Sequence, residues 1–461
     1  MSARTPVDNA IDDRIPSYRD ALFELLSQPS VSTTGEGFET APDTVANVLA
    51  RFGLDVECIE TDRHPLVYGE RSARGADTDS PTILFYGHYD VQPPGDPDDW
   101  RTPAFEPTVR NGSVHARGAG DNKGQFLAHA LAVDALVRAD AFPEVTVKLL
   151  IEGGEESGSE GLREYLAGDA THVADADVVF VADGPRHAVA TAESEREGRP
   201  TIAYGNRGIL YFRVEHRTAN ADLHSGNFGG PMPAATNELV EALASMRDGD
   251  EITVDGFYDG AAASDADREL VAAIPDDGAA IAEQLDASHL ATDRPFYERL
   301  LLEPSLTING LEGGSQGKSM KTILPHEAAA KLDCRLVPGQ DPDAVFEAIQ
   351  NHLLSVNPDL EVIKESTFAP MKTPVDDPAA KAVRQALTAT WGSELVELPV
   401  LGGSLPAASF RNVDALADVP VFVVPYANHN QSNHSPDEHL TLECFENGIR
   451  TSAAFIQAIS E

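Results

Sequence analysis

Five short stretches of this chain hold residue types suited to metal or acid–base chemistry. Gly87-His88-Tyr89-Asp90 places His88 and Asp90 two apart. At an extended strand end, positions i and i+2 face the same side. An Asp there can hold the ring and tautomer of a metal-ligating His. Arg117-Gly118-Ala119-Gly120-Asp121-Asn122-Lys123-Gly124 sets one acid among glycines, which implies a tight turn with close backbone approach. It does not match a phosphate-binding loop, and its acid would repel an anion. Glu152-Gly153-Gly154-Glu155-Glu156 ends an apolar run in neighbouring carboxylates, which are costly unless a cation compensates. Two such neighbours can hold different roles, one as ligand and one as base. Asp183 follows the apolar Val178-Val179-Phe180-Val181-Ala182, and His434 sits in Asn433-His434-Ser435-Pro436-Asp437-Glu438. Each stretch alone also fits a bland reading: a strand-capping pair, a strand–helix turn or a solvated acidic loop.

The elements that would position these residues follow an α/β pattern. Thr82 to Tyr86, Val145 to Ile151 and Val178 to Val181 read as buried strands, and Gly124 to Arg138 reads as a helix between the first two. Strands separated by helices predict an α/β sheet. Each strand ends in polar residues, and the C-terminal edge of such a sheet is where ligands bind. Helices are also expected from Ile11 to Leu26, Thr44 to Phe52 and Pro378 to Trp391, with a further strand from Val419 to Val424. From Thr201 to Glu215 the pattern turns strand-like, a long acidic, Ala-rich helical stretch follows, and Glu327 to Leu336 is strand-like again. An inserted α+β domain at 201–370, within a catalytic domain made of 1–200 and 371–461, is the economical division.

Composition narrows the partners. The chain has 461 residues and is 42% hydrophobic, enough to build real cores. Its 75 acidic and 34 basic residues give a net charge of −41. That charge repels phosphate backbones and anionic lipid, so neither nucleic acid nor membrane is an expected partner. The acid is spread through the chain, as on proteins of a high-salt, haloarchaeal type of cytoplasm, where salt screens self-repulsion. Cys58, Cys334 and Cys444 form neither a disulfide framework nor a zinc-finger spacing. Reduced thiols and the lack of an apolar leader near Met1 predict a cytoplasmic protein.

Taken together, HYD, GAGDNKG, EGGEESGS, VADG and NHSPDE occur in this order. With YGHYDVQPPGDPDDW, DLHSGNFGG, KTILP and GGSLP, the sequence resembles the M20 metallopeptidase family over nearly its whole length, most closely its carnosine-type dipeptidases. The resemblance implies an α/β dinuclear-metal catalytic domain interrupted by an α+β lid and dimerisation domain. It implies that His88 and Asp183 ligate one metal, that Glu156 and His434 ligate the other, and that Asp121 bridges both. Asp90 would orient His88, and Glu155 would be the general base acting on a metal-bridging water. Three carboxylates and a bridging hydroxide balance two divalent cations, and mixed imidazole–carboxylate ligands suit Zn, Mn or Co. A cis peptide between Asp121 and Asn122 is also implied.

For the substrate, the resemblance implies that Arg335 binds a carboxylate, with Thr322 and Ser404 as further contacts. His224 would reach across a homodimer to the partner's oxyanion. The expected reaction is hydrolysis of the amide bond of dipeptides or other short peptides. Deacylation of N-acyl amino acids is the alternative, and a catalytically silent metal-binding protein is a further one. Two departures separate the chain from carnosine-type relatives. Gly184-Pro185 stands where they usually carry Asn and an aromatic residue, and no His stands around Met371.

Overall fold

The computed structural model describes residues 4–73, 80–168, 170–188, 198–275, 277–392 and 394–460. The chain divides into two compact units. The first comprises Met1–Gly205, Thr373–Pro399 and Ser409–Glu461; the second comprises Asn206–Lys372 and Val400–Ala408. Together they make an α/β unit interrupted by an α+β insert. The segment Val400–Ala408, which sequence reading left in the catalytic portion, groups with the insert.

In the first unit the apolar runs become strands covered on both faces. Every residue of Thr82–His88 and of Val178–Val181 is buried. The sheet has eight strands, in the order Asp55–Ile59, Leu66–Arg71, Thr146–Glu152, Thr82–His88, Val178–Val181, Val421–Val423, Thr201–Ala203, Val396–Leu398. Its middle is parallel: Thr82–His88 pairs with Thr146–Glu152 on one side and Val178–Val181 on the other. Val421–Val423 extends the parallel run.

Gly124–Arg138 packs on the Thr82–His88 strand and is covered in turn by Pro6–Ser27 and Leu442–Ala458. This explains why it is apolar nearly all round. Pro6–Ser27 starts at a capping box between Thr5 and Asp8 and stops just before Pro29. It buries Leu22, Leu25 and Leu26, each contributing about 1.5–3 kcal/mol relative to exposure.

The second unit holds a four-stranded antiparallel sheet, in the order Ser305–Gly313, Glu327–Leu336, Gly208–Arg217, Glu361–Phe368. Burial alternates strictly along Gly208–Arg217, as for a sheet with one face packed. Leu210, Phe212 and Val214 meet Leu239, Leu243, Ile349 and Leu353 from the helices Ala235–Ser245 and Pro342–Val356. Among the described residues, the expected Ala-rich helical stretch is broken into short helices, among them Ala235–Ser245, Asp265–Ala273, Gly278–Gln284 and Phe296–Leu301. Gly249, Gly256 and Gly260 take left-handed backbone between the first two, and Pro275 and Pro295 interrupt the later stretch. No helix among the described residues is long and apolar enough to cross a membrane.

Candidate metal centre

All five expected metal ligands lie in the first unit, at or beyond the C-terminal ends of its parallel strands and in two turns beside them. His88 closes its strand and is fully buried. Its Nε2 lies 3.0 Å from Asp121 Oδ1 and 3.6 Å from Asp183 Oδ2. His434 Nε2 lies 3.0 Å from Asp121 Oδ2 and 3.2 Å from Glu156 Oε2. Two triads result, His88–Asp121–Asp183 and Asp121–Glu156–His434, each with donor atoms within 4.8 Å of one another. Asp121 belongs to both.

Asp90 is buried and ties two parts of the site together. Its Oδ1 lies 3.3 Å from His88 Nδ1. Its two oxygens accept the backbone N–H groups of Glu155 at 3.1 Å and Glu156 at 3.0 Å. One carboxylate therefore sets both the imidazole ring and the turn that carries the neighbouring glutamates.

The Asp121 turn is shaped by small residues and amide side chains. The Asp121–Asn122 peptide is cis, as the resemblance implied. A Cβ on Gly87 would sit 2.6 Å from Phe126 Cβ and 2.7 Å from Asn122 Oδ1, so the strand must carry glycine where the turn crosses it. Asn122 Nδ2 donates to Ala182 O at 2.7 Å. Gln125 Nε2 donates to Gly120 O at 2.6 Å, and its Oε1 accepts from Tyr426 N at 2.6 Å. Gln92 Nε2 donates to Glu156 Oε2 at 2.9 Å and steadies that candidate ligand. Sequence reading missed Gln92, Asn122 and Gln125 as supports, although all three stood inside or next to the stretches that carried the resemblance.

The donor set fits cations. Asp90, Asp121, Glu155, Glu156 and Asp183 crowd around two imidazoles, and the titration behaviour shows the imbalance. Burial and the nearby charge of Asp121 push the Asp183 carboxyl up to about 7. Burial, with Asp183 and Glu156 close by, pushes Glu155 well above the usual carboxylate range, although His88 opposes this. Contacts with Asp121 and Glu156 push His434 up to about 10 against its partial burial. For Asp121 burial works upward, but its bonds with His434 and His88 hold it below the ordinary range. The carboxylates also favour the charged form of the His88 ring, against its burial; divalent cations bound by these same side chains would supply the positive charge the cluster calls for.

The remaining expected residues lie in the second unit. Arg335 Nη1 donates to Ser404 Oγ at 3.0 Å, and its Nε lies 3.4 Å from Asp333. His224 is exposed, and its Nδ1 accepts from Gly226 N at 3.0 Å. The short strand Leu223–His224 pairs with Ile323–Leu324, and Thr322 O accepts from Ser225 N at 3.0 Å. The unit therefore brings Arg335 to Ser404, and His224 to the Thr322 segment.

An α/β sheet carrying two triads that could hold metal ions, with one shared carboxylate and a half-buried acid beside them, fits a metal-dependent hydrolase. Residues 84–458 match the model of peptidase family M20/M25/M40. The chain belongs to that family and is a metallopeptidase. It is 30% identical to a Cys-Gly metallodipeptidase of Saccharomyces cerevisiae, over 99% of this chain and 98% of that protein. It is 28% identical to the Beta-Ala-His dipeptidase of Homo sapiens, over 97% of this chain and 87% of that protein. Among solved structures, an M20 family metallo-carboxypeptidase from Sulfolobus solfataricus superposes with a TM-score of 0.87 at 30% identity. That match covers 96% of this chain and 99% of the other.

Proposed function

We propose that this chain hydrolyses the amide bond of dipeptides and related short peptides with a free C-terminal carboxylate. The observation that carries this is Asp121, shared between two His–carboxylate triads, with Glu155 beside them and outside both. The printed activities of the relatives, dipeptidase and carboxypeptidase, support the substrate class.

In this reading His88 and Asp183 would hold one divalent metal, Glu156 and His434 the other, and Asp121 both. Zn suits these donors, and Mn or Co fit them too. When bound, such a pair polarises the scissile carbonyl and lowers the pKa of water. Glu155 accepts a proton from the attacking water and delivers it to the leaving amine nitrogen. Asp90 keeps the His88 ring and the Glu155–Glu156 turn in place. Arg335, steadied by Ser404, binds the substrate carboxylate through its planar guanidinium, with Thr322 as a further contact.

His224 acts in the active site of a second subunit, where its ring stabilises the developing oxyanion. Supporting a homodimer, Ile308 and Leu311 are exposed on the edge strand Ser305–Gly313, and Val240 is exposed on Ala235–Ser245. The residues 1–200 and 371–461 carry the candidate metal ligands and the base, and 201–370 serve as lid and dimerisation domain. Three cysteines that form no disulfide suit a cytoplasmic setting, and a net charge of −41 suits a high-salt one.

The test is a panel of hydrolysis rates on dipeptides, their C-terminal amides and N-acyl amino acids. Dipeptides with a free carboxylate should give the highest kcat/KM, and amidation should lower it. Higher kcat/KM for N-acyl amino acids would make the enzyme a deacylase.

A further inference from the structure

Glu438 is fully buried, and both of its carboxylate oxygens are engaged. Oε1 accepts from Gly120 N at 3.0 Å and Asp121 N at 3.1 Å. Oε2 accepts from Gly118 N at 3.0 Å and Arg117 Nη1 at 2.8 Å. Three of these four donors are backbone amides of the turn that carries Asp121. The Asp121 side chain meanwhile meets His88 with one oxygen and His434 with the other. Glu438 thus grips the backbone of the turn while the acid of that turn faces the ligand cluster.

The segment bearing Glu438 is itself anchored. Ala116 N donates to Glu438 O at 3.1 Å. Asp437, just before it in the chain, accepts from Arg101 N at 3.2 Å and Arg110 Nη2 at 3.1 Å. His434, four residues earlier, contributes to the second triad. One short segment therefore supplies a candidate ligand and the clip for another. Neutralising Arg117 would require only one oxygen; the other three bonds go to amides, whose direction matters because a carboxylate accepts and never donates.

We propose that Glu438 is a positioning residue: it fixes the Gly118–Asp121 turn so that Asp121 is presented to both triads before any metal binds. The proposal rests on the reading of Asp121 as the shared ligand. The first test uses the metal-free wild-type chain and follows amide hydrogen exchange at Gly118, Gly120 and Asp121. These amides should be protected to the degree of those in the Thr82–His88 strand. Protection that arises only after zinc is added would overturn the proposal.

The second test is Glu438→Gln. The amide keeps the size but turns an N–H against N–H donors on one side. Zinc affinity, measured by chelator competition, should fall about 10–100-fold. The same turn amides should lose protection while the central strands keep theirs. A folded variant with unchanged zinc affinity would overturn the proposal. Should the variant not fold, the wild-type exchange result decides by itself. A wild-type chain that binds no divalent metal would instead overturn the reading of Asp121, whatever its exchange pattern.

Discussion

Glu155 and Glu156 are neighbours in sequence with different surroundings. Glu156 faces His434 and Gln92, whereas Glu155 belongs to neither triad and has a carboxyl pushed up by burial and nearby acids. In the proposed roles, ligand and base therefore sit side by side without exchanging places. Glu155→Gln should lower kcat about 10²–10⁴-fold, with metal content and KM changed little. Near-normal kcat would exclude Glu155 as the base. Arg335 makes a separate prediction. Arg335→Met should raise KM for dipeptides by about 10-fold or more, the cost of losing a charge-assisted bond. It should have little effect on their C-terminal amides. Equal effects on both substrate forms would remove Arg335 from carboxylate binding.

The helix Gly124–Arg138 carries a titratable group into the core. His129 is fully buried, stacks on Phe85 at 4.1 Å between ring centroids, and lies 2.9 Å from Ser452 Oγ. Burial pushes its pKa from 6.5 down to about 3. In this window the unfolded chain binds a proton there and the folded chain does not. The stability from neutral His129 is present above pH 6.5 and is lost as pH falls toward about 3. Below pH 6, His129→Gln should remove up to ~1.4 kcal/mol per pH unit from the slope of unfolding free energy against pH. An unchanged slope would mean that His129 protonates freely in the fold.

At this scale the sequence was legible where a signal was local. Unbroken apolar runs marked the central strands, and the range of the Gly124–Arg138 helix was read to the residue. Motif resemblance pointed to five candidate ligands, which the fold brings into two triads. Glu438 was not legible as a clip, because its donors lie more than 300 positions away in the chain. The grouping of Val400–Ala408 with the insert was hidden for the same reason: only tertiary contact reveals it.

For the molecule as a whole, the central question is how many subunits build one active site. His224 is exposed and lies in the second unit, while the triads lie in the first. If it serves a partner, His224→Ala and Glu155→Gln chains should each be nearly inactive, and mixing them should restore activity. In a mixed dimer, the Glu155→Gln subunit lends its His224 to the partner's intact Glu155. No recovery after demonstrated subunit exchange would place His224 outside any shared site. The metal requirement is the claim on which every other role depends. The most direct test is stepwise addition of zinc to metal-stripped protein while dipeptide hydrolysis is followed. Two triads sharing Asp121 predict no activity at the start, and a rise that levels off near two zinc ions per chain. Full hydrolysis by the stripped protein, unaffected by chelator, would contradict the account.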